Sequence, residues 1–327
     1  MSGLSKLIKK RIANSLLLIT IFSSLFFCSF TSMKVSGGPF DSKIGTRILF
    51  DESHNPYYGI SGLNPAHIRD DGYRLFDSYL EENDYEINIL NVSSVIDENL
   101  LHNYDIFIIC ASQTSYSNDE IDAIYDWTIN GGSLLLLAEY GGYSNGIKSL
   151  ARKFGYSFFD DRLREIITSY GTYFAIPFNR NNMIDDVLFN NVESLVLTSV
   201  TGFILRPDNS EEVLFTDVDG NTQWASNWNP ACNVPIISKT LVGENKYGKM
   251  VICCDATLWD IHDNELNIGT PSFDELDNAQ FALNIINWLV TSSAKAGIPF
   301  IGVSLSLFFS MSILVFISQI RFIKQKK

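Results

Sequence analysis

Asp105 to Gly142, DIFIICASQTSYSNDEIDAIYDWTINGGSLLLLAEYGG, is the stretch whose reading decides the fold. It opens with an apolar run of strand length, Ile106 to Ala111. Ser117 and Glu120 follow in the S-x-x-E spacing of a capping box, in which each side chain satisfies a backbone N–H near the other. A helix is therefore expected to start at Ser117, with Ile121, Ile124, Tyr125 and Ile129 as its apolar face. Gly131-Gly132 supplies a left-handed stop. The next run, Leu134 to Ala138, shows no polar alternation, as expected of a strand buried on both faces in a parallel sheet.

Working outward, Arg47 to Asp51 (RILFD) reads as a first strand, followed by a polar loop from Glu52 to Gly59. Asn64-Pro65 places a cap and a first-turn proline at the start of a helix that runs to about Leu80. Ile87 to Leu90 is the second strand, and Asp97 to Leu101 a short helix. Beyond the opening stretch, Ser144 to Phe154 gives one more helix. Strands alternating with helices in this way point to a doubly wound α/β domain with a parallel sheet. Between residues 166 and 240 the pattern changes to short β-like runs, read as a β-rich insertion packed beside the sheet. Within it, Asp217-Val-Asp-Gly-Asn221 lacks the distant glutamate of a calcium loop and reads as an Asp-Gly hairpin turn. Gly248 to Asp255 then returns as a strand ending in an aspartate, and Asp277 to Leu289 as a final amphipathic helix.

The two ends carry a different message. No charged residue occurs from Ile12 to Met33 or from Ala296 to Ile320, and basic residues flank both runs on their outer sides. Runs of roughly 20 apolar residues match the hydrocarbon thickness of a bilayer. The expectation is therefore a membrane anchor or signal segment at 1–36 and a transmembrane helix with a basic cytoplasmic tail at 295–327. The positive flanks place the intervening domain, 37–294, outside the cell membrane and the C-terminus in the cytoplasm. Removing the ends leaves 14 of the 24 basic residues against all 37 acidic ones. So acidic a surface repels phosphate backbones, and nucleic acid is excluded as a partner. Cys110, Cys232, Cys253 and Cys254 form neither a disulfide framework nor a zinc spacing.

Four segments carry a resemblance: Gly131 to Gly142 (GGSLLLLAEYGG), Lys153 to Phe158 (KFGYSF), Gly248 to Asp255, and Asp277 to Leu289 (DNAQFALNIINWL). Together they resemble the GIFT-type, class I glutamine amidotransferase-like domains. That group takes in gliding protein G, the N-terminal part of an intraflagellar transport protein and archaeal membrane proteins. The resemblance covers about residues 45 to 290. It implies a flavodoxin-like parallel sheet, and it implies protein partners in a membrane complex, as an accessory of an ABC-type transporter or surface assembly. Active amidotransferases place a cysteine in G-x-C-x-G after the central strand and a His-x-Glu pair later. The sharp turn exposes the cysteine, and the histidine makes it a thiolate. Here the matching turn is Ala138-Glu-Tyr-Gly-Gly142, and His262 is followed by Asp263-Asn264. No catalytic residue is therefore assigned.

Ligands of open parallel sheets meet the carboxyl ends of the strands. That rule gathers Asp51, Glu52 and His54 after the first strand, Ser112 and Gln113 after the third, Glu139 after the fourth and Asp255 near the end. As a polar pocket they would bind a cation, an amine or a sugar; as ordinary strand-end residues they would cap helices and satisfy loop amides. No spacing among them marks a metal site, and no cofactor is expected. The expected function is a non-enzymatic, membrane-anchored ligand-binding or interaction module. The alternative is a membrane-anchored hydrolase or metal-dependent enzyme using His54, Glu139 and Asp255.

Overall fold

The computed structural model describes residues 45–56, 73–92, 94–159, 161–165, 175–198, 200–215, 222–224, 235–244, 247–257 and 276–291. The strands of the opening stretch are β3 (Ile106–Cys110) and β4 (Ser133–Leu137), and every residue in both is buried. They pair in parallel, Ile106 opposite Ser133 and Cys110 opposite Leu137. β1 (Arg47–Asp51) lies on the other side of β3 and β2 (Glu86–Leu90) beyond it. β13 (Gly248–Cys253), buried throughout, flanks β4 in parallel. Five parallel strands thus run in the order β2-β1-β3-β4-β13, the arrangement of flavodoxin-like sheets.

Two further strands make the sheet mixed. β12 (Pro235–Val242) pairs antiparallel with β13, and β10 (Ser210–Phe215) antiparallel with β12. The expected all-parallel sheet is corrected here, and the reason is chain length. Only residues 243–247 separate β12 from β13, and a parallel crossover needs a dozen residues or more. The segment read as an insertion beside the sheet therefore supplies two of its seven strands. The rest of it includes the antiparallel pair β7 (Ala175–Asn179) and β8 (Ser194–Thr198). Four further short strands, β5 (Ser157–Phe158), β6 (Leu163–Glu165), β9 (Phe203–Leu205) and β11 (Thr222–Trp224), form the pairs β5–β9 and β6–β11.

The helices follow local sequence closely. α1 (Arg74–Glu82) buries Phe76 and Leu80, with Tyr73 just before it standing edge-on to Phe50 at 5.7 Å. The expected start of this helix at Asn64-Pro65 lies outside the described residues. α2 (Glu98–Leu101) is capped by Asp97, which accepts from the Leu100 N–H at 2.8 Å. α3 (Asn118–Ile129) has the full capping box. The Ser117 N–H donates to Glu120 at 2.9 Å, and the Glu120 N–H to the Ser117 hydroxyl at 3.3 Å. α4 (Lys148–Lys153) is shorter than the pattern predicts, because the chain from Gly141 to Ser144 forms a 3-10 turn first.

α5 (Asn278–Val290) is buried on nearly all sides, more than an amphipathic surface helix would be. Its asparagines make this possible by satisfying the irregular chain around it. Asn278 exchanges two hydrogen bonds with the Val196 backbone, at 3.0 and 3.1 Å. Asn284 donates to the Leu188 and Asn190 carbonyls, and Asn287 accepts from the Tyr85 hydroxyl at 2.7 Å.

Among the described residues no helix is long and apolar enough to cross a membrane; α5, at 13 residues, falls well short of the roughly 20 required. The expectation of flanking transmembrane helices is corrected accordingly, and with it that of a cell-membrane location with an extracytoplasmic domain. The apolar runs at 12–33 and 296–320 lie outside the described residues.

Where α3 ends and β13 begins, the backbones nearly touch. A Cβ on Gly248 would lie 1.7 Å from the Thr128 carbonyl oxygen, which no side-chain rotation relieves. Gly248→Ala should therefore cost roughly 1–3 kcal/mol, the range for overpacking a core. Ser117→Ala, which removes the α3 cap, should cost about 1 kcal/mol. Urea unfolding midpoints of the two variants test the order, with Gly248→Ala expected to be the more damaging.

Candidate functional site

The C-terminal ends of β1, β3, β4 and β13 bring the seven sequence-selected residues to one edge of the sheet, where they fall into two groups. At the β1 and β3 ends the backbone is knit across the gap. Pro56 bridges Ser112, the Gln113 N–H donates to the Asn55 carbonyl at 3.2 Å, and the Thr114 N–H to the His54 carbonyl at 3.1 Å. Asn55 and Ala111 adopt positive φ, 51° and 32°, which lets the two loops turn into contact. Gln113 faces solvent, its side chain 3.4 Å from that of Asn55, and does not join the buried group. Glu52 continues the β1–β2 ladder through its N–H to the Leu90 carbonyl.

The buried members form a network around Asp51, which is fully enclosed. One carboxylate oxygen accepts from the Ser53 N–H at 2.8 Å and from the Ser53 hydroxyl. The other accepts from the Tyr116 hydroxyl and faces His54 Nδ1 at 3.2 Å. Ser112 reaches the same Tyr116 hydroxyl at 2.9 Å, and the His54 and Tyr116 rings stack with centroids 3.9 Å apart. On its far side, His54 Nε2 lies 3.4 Å from the Glu120 carboxylate. Burial alone would lower the His54 pKa, but Asp51 and then Glu120 outweigh it, so the value is raised above the usual 6.5. Burial and the Asp51 charge push the Tyr116 hydroxyl well above 10.0. The imidazole thus sits between two carboxylates that favour its protonated form. This is the crevice where the strand order reverses and where flavodoxin-like folds take ligands, and here protein side chains fill it.

The second group lies at the β4 and β13 ends. Asp255 is fully buried and satisfied by the Thr198 N–H and the Thr257 N–H, both at 2.7 Å, and by the Thr257 hydroxyl. Because Thr198 ends β8, this carboxylate ties the β7–β8 pair to the main sheet. Glu139, only 3% exposed, is different. Its Oε1 accepts from the Tyr140 N–H at 3.2 Å and the Ala256 N–H also approaches the carboxyl, while its Oε2 is buried with no hydrogen bond of normal geometry among the described residues. Burial first, and the charge of Asp255 second, push its pKa well above 4.5, which favours the protonated carboxyl. Beside it Arg162 donates to the Tyr140 hydroxyl at 3.1 Å and lies 4.6 Å over that ring, and Tyr143 meets Tyr140 edge-on at 5.3 Å. These three side chains are part-exposed and form the surface next to Glu139.

Asp51 and Asp255 stand three strands apart, roughly 14 Å at the usual spacing, so the seven residues do not converge on one point. Among the described residues no group of three or more His, Cys, Asp or Glu side chains is placed to hold a metal ion. Cys253 and Cys254, beside Asp255, are buried, and burial pushes both thiols well above 9.0, which denies them the thiolate a nucleophile needs. Sequence reasoning missed Tyr116 and Arg162, and it took Glu120 for a helix cap alone. Tyr116 had the weak signal of a large aromatic one residue before a well-specified cap; Arg162 had none. His262 lies outside the described residues.

No protein-family model and no curated protein matches this chain. Among solved structures it is similar to the N-terminal domain of mmIFT52, with 15% identity and a TM-score of 0.58 over 75% of this chain and 98% of that one. It is also similar to a putative ThuA-like protein from Bacteroides uniformis ATCC 8492, with 14% identity and a TM-score of 0.48 over 76% and 93% of the two chains. At such identity the likeness to mmIFT52 is one of fold, the same fold that the resemblance in the sequence implies.

Both buried groups make stability depend on pH, and in the same direction. The folded chain holds protons on Glu139 and His54 above their ordinary values of 4.5 and 6.5, so stability falls as pH rises through each range. Glu139→Gln should gain on the wild type as pH rises above about 4.5. His54→Gln should be less stable than the wild type at pH 6, with the gap closing as pH rises above 6.5 and through the raised pKa of His54. Urea midpoints measured from pH 4 to pH 9 check both signs.

Proposed function

We propose that this chain is a non-enzymatic binding module whose ligand is a neutral, hydroxyl-bearing molecule such as a sugar, engaged at the turn after β4. The observation that carries the reading is the Glu139 Oε2 atom, buried and without a hydrogen-bond partner among the described residues, where active amidotransferases place a nucleophile. A neutral carboxyl both donates and accepts, which suits a hydroxyl. Arg162 beside it disfavours an amine, and the charge of Asp255 disfavours an anion. Tyr140 and Tyr143 offer part-exposed rings for the apolar face of a sugar.

The enzyme reading has less support. His54 is engaged at both ring nitrogens by carboxylates and stacked on Tyr116, so it is poorly placed to take a proton from a nucleophile. It also stands at the β1 end, two strands from Glu139.

Saturation-transfer NMR with a panel of monosaccharides and polyols, run beside an ammonia-release assay with glutamine, tests the proposal. The expected result is saturation transfer to at least one neutral sugar, lost in Tyr140→Ala, with no ammonia released. Ammonia release that disappears in His54→Ala and Glu139→Ala would establish the enzyme reading instead. Absence of any sugar signal from the folded wild type would defeat the sugar-binding reading.

A further inference from the structure

A cavity of about 580 Å³ opens at the opposite edge of the sheet, where β3, β4 and β13 begin and α3 and α5 end. That volume lies in the range of small-molecule sites. Its walls include Tyr104, Trp127 and Tyr247, and Gly132 is required there because a Cβ would strike the Trp127 ring at 2.3 Å. Lys249 and Thr291 also line it. Lys249 sits within β13, between Gly248 and Met250, and is 6% exposed.

The ammonium of Lys249 is bonded only to neutral atoms: the Trp288 carbonyl at 2.7 Å, the Thr291 hydroxyl at 2.8 Å and the Thr291 carbonyl. It also lies 4.9 Å over the Trp288 ring. Among the described residues no carboxylate pairs with it. The carbonyls are the end of α5, and a helix C-terminus offers only about half an elementary negative charge. Buried ammonium groups are ordinarily paired, so the cavity retains an uncompensated positive charge at this wall. Burial first, and the neighbouring Lys239 second, bring the Lys249 pKa down to about 8, as expected of a cation without a partner anion. Lys239 is itself paired with Asp186 and Glu211. Asp105, at the exposed rim, accepts from the Arg47 N–H at 2.8 Å.

We propose that this cavity binds a small aromatic carboxylate, its anionic end paired with Lys249 and its ring packed against Tyr104, Trp127 and Tyr247. All three ammonium protons are in use, so one contact must be exchanged, and Thr291 permits it. Its hydroxyl already donates to the Trp288 carbonyl at 2.7 Å, and a ligand oxygen can replace it as the acceptor from Lys249 without orphaning either group. The site is at the edge remote from Glu139, and the inference stands independently of the sugar-binding reading.

Isothermal titration of the full chain at pH 7 with benzoate, benzyl alcohol and benzylamine tests the charge argument. Benzoate should bind at least tenfold more tightly than benzyl alcohol, and benzylamine should not bind. Lys249→Met, checked for native circular dichroism, should weaken benzoate at least tenfold. The proposal fails if benzylamine or benzyl alcohol binds as well as benzoate, if benzoate shows no heat at millimolar concentration, or if folded Lys249→Met binds benzoate unchanged. Should Lys249→Met not fold, the three-ligand comparison on the wild type decides alone.

Discussion

The burial of β3 and β4 on both faces is the constraint from which most of this structure follows. IFIIC and LLLL offer water no polar alternation, and Ser133 at the start of β4 is itself buried and donates to the Leu289 carbonyl, so each face of the central sheet must be covered completely. On the α5 side that demand is met by a helix carrying buried Phe281, Ile285, Ile286 and Leu289, and three asparagines bond the irregular chain beside it. Where α3 meets β13, the approach is so close that only glycine fits at position 248. Both candidate sites lie at the two edges of the sheet, where the strands begin and end.

At the C-terminal edge most of the selected side chains are engaged with one another. A nucleophilic cysteine needs exposure and a base that accepts its proton. Cys253 and Cys254 are enclosed beside a carboxylate, and His54 is spent holding two carboxylates together. The crevice at the β1–β3 switch point is occupied by Tyr116, stacked on His54 and bonded to Asp51. The neighbouring turn, which we propose as the ligand site, sets a buried carboxyl next to part-exposed tyrosines and an arginine. The opposite edge is its electrostatic counterpart, a buried cation beside aromatic walls.

Local signals in the chain held where the physics is local. The capping box at Ser117 and Glu120, the stop at Gly131-Gly132, the Asp97 cap and the apolar runs of β1, β3, β4 and β13 need only neighbours in sequence, and the elements stand where those signals put them. The antiparallel direction of β12 and β10 was less legible, because an apolar pattern marks a strand without giving its partner or direction; the short 243–247 link decides it for β12 and β13 once they are known to be neighbours. The candidate residues at the C-terminal edge were found by one rule, that strand ends meet ligands. That rule says nothing about which strand ends are adjacent, and so it could not separate the Asp51 group from the Glu139 group.

By itself, the sequence determined the alternation of strands and helices, the buried centre of the sheet and the presence of Glu139-Tyr140, with no cysteine or serine, in the turn after β4. Those are properties of residue type and spacing. Only the tertiary structure decided that His54 lies between two carboxylates, that Glu139 is buried with an oxygen unpaired among the described residues, and that Lys249 is buried without a carboxylate partner among them. The charge state of a side chain depends on burial and on groups brought to it across the fold, such as Glu120 to His54 and the end of α5 to Lys249. Distances of that kind are set by packing.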